Sequence, residues 1–290
     1  MQSNNPVFRR SEEFQRGGAP TYAGGNQSYG SDPSSWGVGA PGQPGQADPY
    51  GQGLAPRPAD SVMTIDTVVQ KTAMSLGIVI VAALATWILT PEITQFSTSA
   101  DLSPLFALAT IGALGAFALS MVNSFKRVIS PALVIAFAVL EGVALGGISK
   151  LFNYMYGDGV VQGAVIGTFA AFAGTLTAYK VLNIKVGAKF RTFVTAAMFG
   201  MVGLALMELV LGAFGAQIGL FGVSGLGMVT AVVGLVLGVF MLIMDFDFVE
   251  QGIANRLPER ESWRAAFAMT VSLVWIYTNL LRILAFFSND

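Results

Sequence analysis

The chain has 290 residues, of which 53 % are hydrophobic and only 11 % charged, with a formal net charge of −1 and neither cysteine nor histidine. A soluble domain carries about 25 % charged residues, so this chain cannot clothe a water-soluble globule of its size. The two missing residue types exclude disulfides, thiol nucleophiles, Cys/His zinc sites, histidine triads and imidazole as a pH sensor.

Residues 1–60 form a polar tail rich in Gly, Pro, Ser and Gln, and eight of the 12 prolines fall there. Such a segment lacks the apolar surface that offsets the entropy of ordering, so it is predicted to be disordered. It has no apolar h-region and is not a secretory signal peptide. Its spaced tyrosines (Tyr22, Tyr29, Tyr50) could serve docking, although a solubilising tail is the simpler reading. Order is expected from residues 61–71, where Val62, Ile65, Val68 and Val69 recur at helical spacing, with Thr64 placed to cap and Asp66 in the first turn. This reads as a short amphipathic lead-in lying at the membrane surface.

Seven apolar spans follow, at 72–89, 104–122, 130–149, 160–182, 191–213, 224–245 and 265–287. Each is long enough as helix to cross a hydrocarbon core of roughly 30 Å. The fold class predicted is an all-α membrane protein, a seven-helix bundle of residues 61–290 behind the tail. Lys126 and Arg127 lie between spans two and three, Lys180, Lys185, Lys189 and Arg191 between four and five, and Arg256, Arg260 and Arg264 between six and seven. The alternate loops hold only Lys150. By the positive-inside rule the N-terminus is cytoplasmic and the C-terminus outside. The small-residue pairs Gly142/Gly146, Gly163/Gly167 and Gly234/Gly238, with Gly112, Gly115, Gly200 and Gly203, predict close helix packing. No basic run points to nucleic acid.

Charges within spans are costly in lipid and are functional candidates by default. They are Glu141 in span three, Glu208 in span five, Asp245 and Asp247 at the end of span six, and Arg282 in span seven. Glu141 falls near the midplane, roughly 16 Å along its helix, and Glu208 and Arg282 both fall roughly 25 Å along theirs. Arg282 is thus at the right level to pair with Glu208, or with Glu141 by a short reach. Asp245, Asp247 and Glu250 form the densest acidic feature. On an ideal helix Asp245 and Asp247 lie about 200° apart, whereas Asp247 and Glu250 share a face. Carboxylates clustered at a pore mouth would attract Ca²⁺ or other cations, with occupancy that depends on pH. A helix end reaching water explains the same residues without function.

Phe125-Lys-Arg-Val-Ile-Ser-Pro131 followed by Phe137-Ala-Val-Leu-Glu-Gly-Val-Ala-Leu-Gly-Gly-Ile-Ser149 resembles the loop and third span of the Bax inhibitor family, the transmembrane Bax-inhibitor-motif proteins. Asp245-Phe-Asp-Phe-Val-Glu-Gln-Gly252 is similar to that family's aspartate-bearing end of span six, and Leu273-Val-Trp-Ile-Tyr-Thr-Asn-Leu-Leu-Arg-Ile-Leu284 to its last span. The likeness runs from about Met63 to the C-terminus, and Met63-Thr-Ile-Asp66 with the tail resembles a bacterial branch. The resemblance implies six helices around a central seventh, in a bacterial plasma membrane, and a pH-sensitive calcium leak. It also implies an aspartate late in span six (Asp245 or Asp247) paired through a proton with one in span seven, and an arginine latch.

The second aspartate would fall near Ser272, and span seven has no carboxylate; Asn279 and Arg282 are its strongly polar members. The expected pathway and sensor are therefore Asp245, Asp247, Glu250, Glu141 and Glu208, with Arg282 as latch, Ca²⁺ held at Asp245 and Asp247, and no cofactor. The alternative is a non-conducting regulator that binds membrane-protein partners, for example in membrane proteolysis or stress. No enzyme is expected: an intramembrane aspartyl protease needs aspartates from two helices, and a retinal protein a lysine in the last span.

Overall fold

A computed structural model describes residues 61–94, 97, 99–216 and 218–288. The predicted tail, with Tyr22, Tyr29 and Tyr50, lies outside the described residues. Among the described residues seven helices follow one another: α1 (Ile65–Leu89), α2 (Ser99–Phe125), α3 (Pro131–Tyr156), α4 (Asp158–Val181), α5 (Ala188–Ala213), α6 (Gly225–Ala254) and α7 (Glu261–Ser288). All seven are long and apolar enough to cross a membrane. The described residues contain no strand, only an isolated bridge between Val62 and Pro258.

Local chemistry sets several boundaries. Thr64 caps α1, its hydroxyl accepting from the Thr67 amide at 3.2 Å while the Thr67 hydroxyl accepts from the Thr64 amide at 3.0 Å. The expected surface lead-in is instead the first two turns of α1. Its amphipathic pattern survives, with Val68 2 % exposed against the bundle and Ile65 and Val69 each 60 % exposed. Pro131 opens α3 at a position where a missing amide hydrogen costs nothing. Gly157 alone separates α3 from α4, and its φ of 94° is one that a side chain would resist. The third helix thus runs to Tyr156, so Lys150 belongs to a span and not to the loop expected there. The sixth runs to Ala254, past its expected end at 245, and carries Asp247 and Glu250 as helical residues.

The last helix is central. α7 packs against α1, α3, α4 and α6, and its buried residues extend from Ser262 to Ala285. The other two helices sit outside this ring, α2 on α3 and α5 on α6. The six-around-one arrangement is therefore four around one with two flanking helices.

The glycine pairs explain how helices approach. A Cβ on Gly142 would stand 2.6 Å from the Ala82 Cβ, and one on Gly146 2.8 Å from the Thr86 Cβ, so this pair forms the α1–α3 seam. Gly163 and Gly167 receive Leu284 and Leu280 of α7, and Gly238 receives Ile276. Gly200 and Gly203 of α5 face open space.

Candidate functional site

The acidic end of α6 places its three carboxylates against three different helices. Successive positions advance about 100° around a helix, so residues 245, 247 and 250 diverge. Asp245 faces α7, where the Ser272 hydroxyl donates to its Oδ2 at 2.6 Å. Asp247, 7 % exposed, is ion-paired with Arg191 from the first turn of α5 and accepts from Gln251 Nε2 at 2.8 Å. Glu250 accepts from the hydroxyl of Tyr179, in the last turn of α4, at 2.6 Å. No group of three or more carboxylates that could hold a metal ion occurs among the described residues. The two expected calcium ligands, Asp245 and Asp247, are thus engaged by different donors on different helices.

Arg282 and Glu208 do not form the expected pair. Arg282, 9 % exposed, donates through Nη2 to the carbonyls of Leu220 and Gly227 and to the Thr230 hydroxyl, each at 2.8 Å. Its guanidinium also lies 5.2 Å from the centre of the Phe221 ring. Glu208 accepts from the Gly219 amide at 2.7 Å, and its other oxygen is buried with no described partner. The loop between α5 and α6 folds inward and supplies the Leu220 carbonyl to Arg282 and the Gly219 amide to Glu208, while the first turn of α6 adds the Gly227 carbonyl. Arg282, the expected latch, thus fastens backbone and a hydroxyl, not a carboxylate. Glu141 is half-buried in α3 and receives no hydrogen bond from any described residue.

Further polar contacts, invisible in the sequence, join α7 to its neighbours. Thr270 donates to Ser75 of α1 at 3.0 Å, and Tyr277 shares a 2.6 Å hydrogen bond with Ser149 of α3. Trp275 Nε1 donates to the Gly234 carbonyl of α6 at 2.8 Å. Lys150, itself buried, closes the end of α1 by donating to the carbonyls of Trp87 and Thr90, both at 2.7 Å. Where α7 begins, Lys71 pairs with Glu259 at 2.7 Å. The hydrogen bonds from Lys71 and Ser61, with the lysine's charge, hold the Glu259 carboxyl below its ordinary range. No spacing along the sequence signals these pairings; the Ser, Thr and Asn content of α7 bears only on the contacts of that helix.

The family model described as Bax inhibitor 1 like matches residues 5–289. No curated protein matches the chain. A match over nearly the whole chain establishes the family: the chain belongs to it.

Proposed function

We propose that this member of the Bax inhibitor 1 like family is a pH-sensitive leak for cations, Ca²⁺ among them, gated where α6 meets α7 at Asp245 and Ser272. The observation that carries this reading is the hydrogen bond between those two side chains. Asp245 is the one of the two family-like aspartates that faces the Ser272 position, which favours it over Asp247 as the sensor. An ionised carboxylate only accepts hydrogen bonds, whereas a protonated one also donates. Gain or loss of one proton therefore rewrites the contact between the central helix and its neighbour. Glu250, held only by the neutral Tyr179 hydroxyl, gives the same end of α6 its attraction for cations, and Asp247 adds to it when Arg191 swings away. Arg282 closes the opposite end by holding the α5–α6 loop on α7, with Glu208 fixing that loop from the other side. Glu141, without a described partner, is a further polar station in the interior. The N-terminus lies in the cytoplasm and the C-terminus outside a bacterial plasma membrane, and no chemical reaction is catalysed.

The test is calcium entry into dye-loaded liposomes carrying the purified chain, below and above neutral pH. Wild type should pass Ca²⁺ in a pH-dependent manner, and Asp245→Asn should remove that dependence. Ser272→Asp should restore a two-carboxylate contact and steepen the profile, because two coupled groups then titrate. Absence of flux from folded wild type at every pH would replace the leak with a regulator that works through membrane partners.

A further inference from the structure

α1 and α4 both pack on α7 but barely on one another, and the gap between them is a groove. One cavity, of 620 Å³, is walled by α1 and α4 and floored by Phe246 of α6 and Met269 of α7. A second, of 330 Å³, continues between the same two helices toward Trp87, floored by Leu145 of α3 and Val274 of α7. Leu76 borders both, so the two lie end to end along the same pair of helices. From Ile65 to Trp87 the α1 wall is roughly 33 Å long, close to the thickness of a hydrocarbon core. Large apolar side chains on the rims are exposed, including Ile80 and Leu84 on α1 and Val165 and Phe169 on α4. The groove therefore opens sideways into lipid.

Its two ends differ in chemistry. In the 330 Å³ part the side-chain hydroxyls are already satisfied, Ser149 with Tyr277 and Thr168 with the Ala164 carbonyl at 2.7 Å, and the rest of the lining is apolar apart from the indole of Trp87. An apolar cavity with no free polar partner does not hold water, and hydrocarbon is what suits it. The 620 Å³ part reaches the basic end of the bundle, where Lys180, Asn183 and Glu250 border it. One cation and one anion at that mouth complement a head group that carries both signs. A purely anionic head group would meet Glu250, and a quaternary ammonium would forgo hydrogen bonds to it.

We propose that the α1–α4 groove binds one phospholipid with a primary-ammonium head group, phosphate on Lys180, ammonium on Glu250 and an acyl chain running past Leu76 toward Trp87. The occupant is thus a bilayer lipid held in a built site, distinct from the contact between Asp245 and Ser272.

Native mass spectrometry of the full chain, released from mild detergent and titrated with phosphatidylethanolamine, phosphatidylcholine or phosphatidylglycerol, tests this. Wild type should retain one phosphatidylethanolamine in preference to the other two. Lys180→Gln and Glu250→Gln should each weaken retention about tenfold, the loss of one charge-assisted hydrogen bond. Ala73→Trp fills the inner cavity from an exposed position, and Val165→Trp independently fills the outer one. Either variant that folds, by size-exclusion profile and melting, should lose the bound lipid. Equal retention of all three lipids, a preference for phosphatidylglycerol, or retention undiminished in a folded tryptophan variant would overturn the proposal. A polypeptide found in the groove in place of lipid would overturn it too.

Discussion

α5 and α7 are both apolar enough to span a membrane, yet they occupy opposite situations. α5 has the higher mean hydropathy, 2.0 against 1.5, and buries only Val194 and Met201. α7 is the more polar helix and the more enclosed, with Ser272, Asn279 and Arg282 all buried. In water the rule runs the other way. Lipid is as apolar as leucine, so hydrophobicity gives a helix no reason to leave it, while each polar side chain needs a protein partner. Within a membrane, polarity marks the inside.

The strongest way to break this contrast is to add bulk on each side of it. Gly142→Leu, in the α1–α3 seam, should cost about 3 kcal/mol or more, because its Cβ meets backbone that cannot yield. Gly200→Leu in α5 should change stability by less than about 0.5 kcal/mol, since open space surrounds it. Unfolding of the two variants in micelles compares them directly, and equal losses would mean that α5 is not peripheral.

A smaller effect sharpens the same comparison at the α5–α6 loop. Arg282→Met strands two carbonyls and should cost about 2 kcal/mol, with faster protease cutting between α5 and α6. Glu208→Gln keeps an acceptor for the Gly219 amide and should cost well under half of that. Matching losses would restore the ion pair that the geometry denies. At the other end of α5, Arg191→Gln removes a pairing whose arginine is 45 % exposed, worth about 0.5 kcal/mol after solvent screening.

The smallest expected effect concerns pH and lies at the start of α7. Glu259 has a lowered folded pKa, so its stabilisation is present above the ordinary carboxylate value of about 4.3. It is lost as pH falls through the lowered value. Unfolding curves of wild type and Glu259→Gln should therefore separate at neutral pH and converge in acid.

The spans were legible because each is a block of apolar residues, and Thr64 was legible as a cap because its spacing to Thr67 is local. The divergence of Asp245 from Asp247 followed from helix periodicity alone. What escaped were pairings across long sequence distances. Tyr179 with Glu250, Arg191 with Asp247 and Lys150 with the end of α1 depend on which helices become neighbours, and hydropathy does not encode that. Hydropathy ends α6 too early because the acids lower it while the helix continues to Ala254. Depth along the helices points Arg282 to a carboxylate because an inward-folding loop cannot be foreseen from composition, and backbone carbonyls are acceptors that every residue offers.

The central position of α7 also sets a timetable. It follows the other six helices in the chain, so the groups that depend on it are made long before their partners. Ser75 and Thr270 are 195 residues apart, roughly 10–40 s of ribosomal elongation. For that interval Ser75 waits in the bilayer without the hydrogen bond it will keep; Ser149 waits for Tyr277 over 128 residues and Asp245 for Ser272 over only 27. An unfinished chain is therefore an open cup with exposed polar walls, and insertion of the final helix is the stopper that completes it.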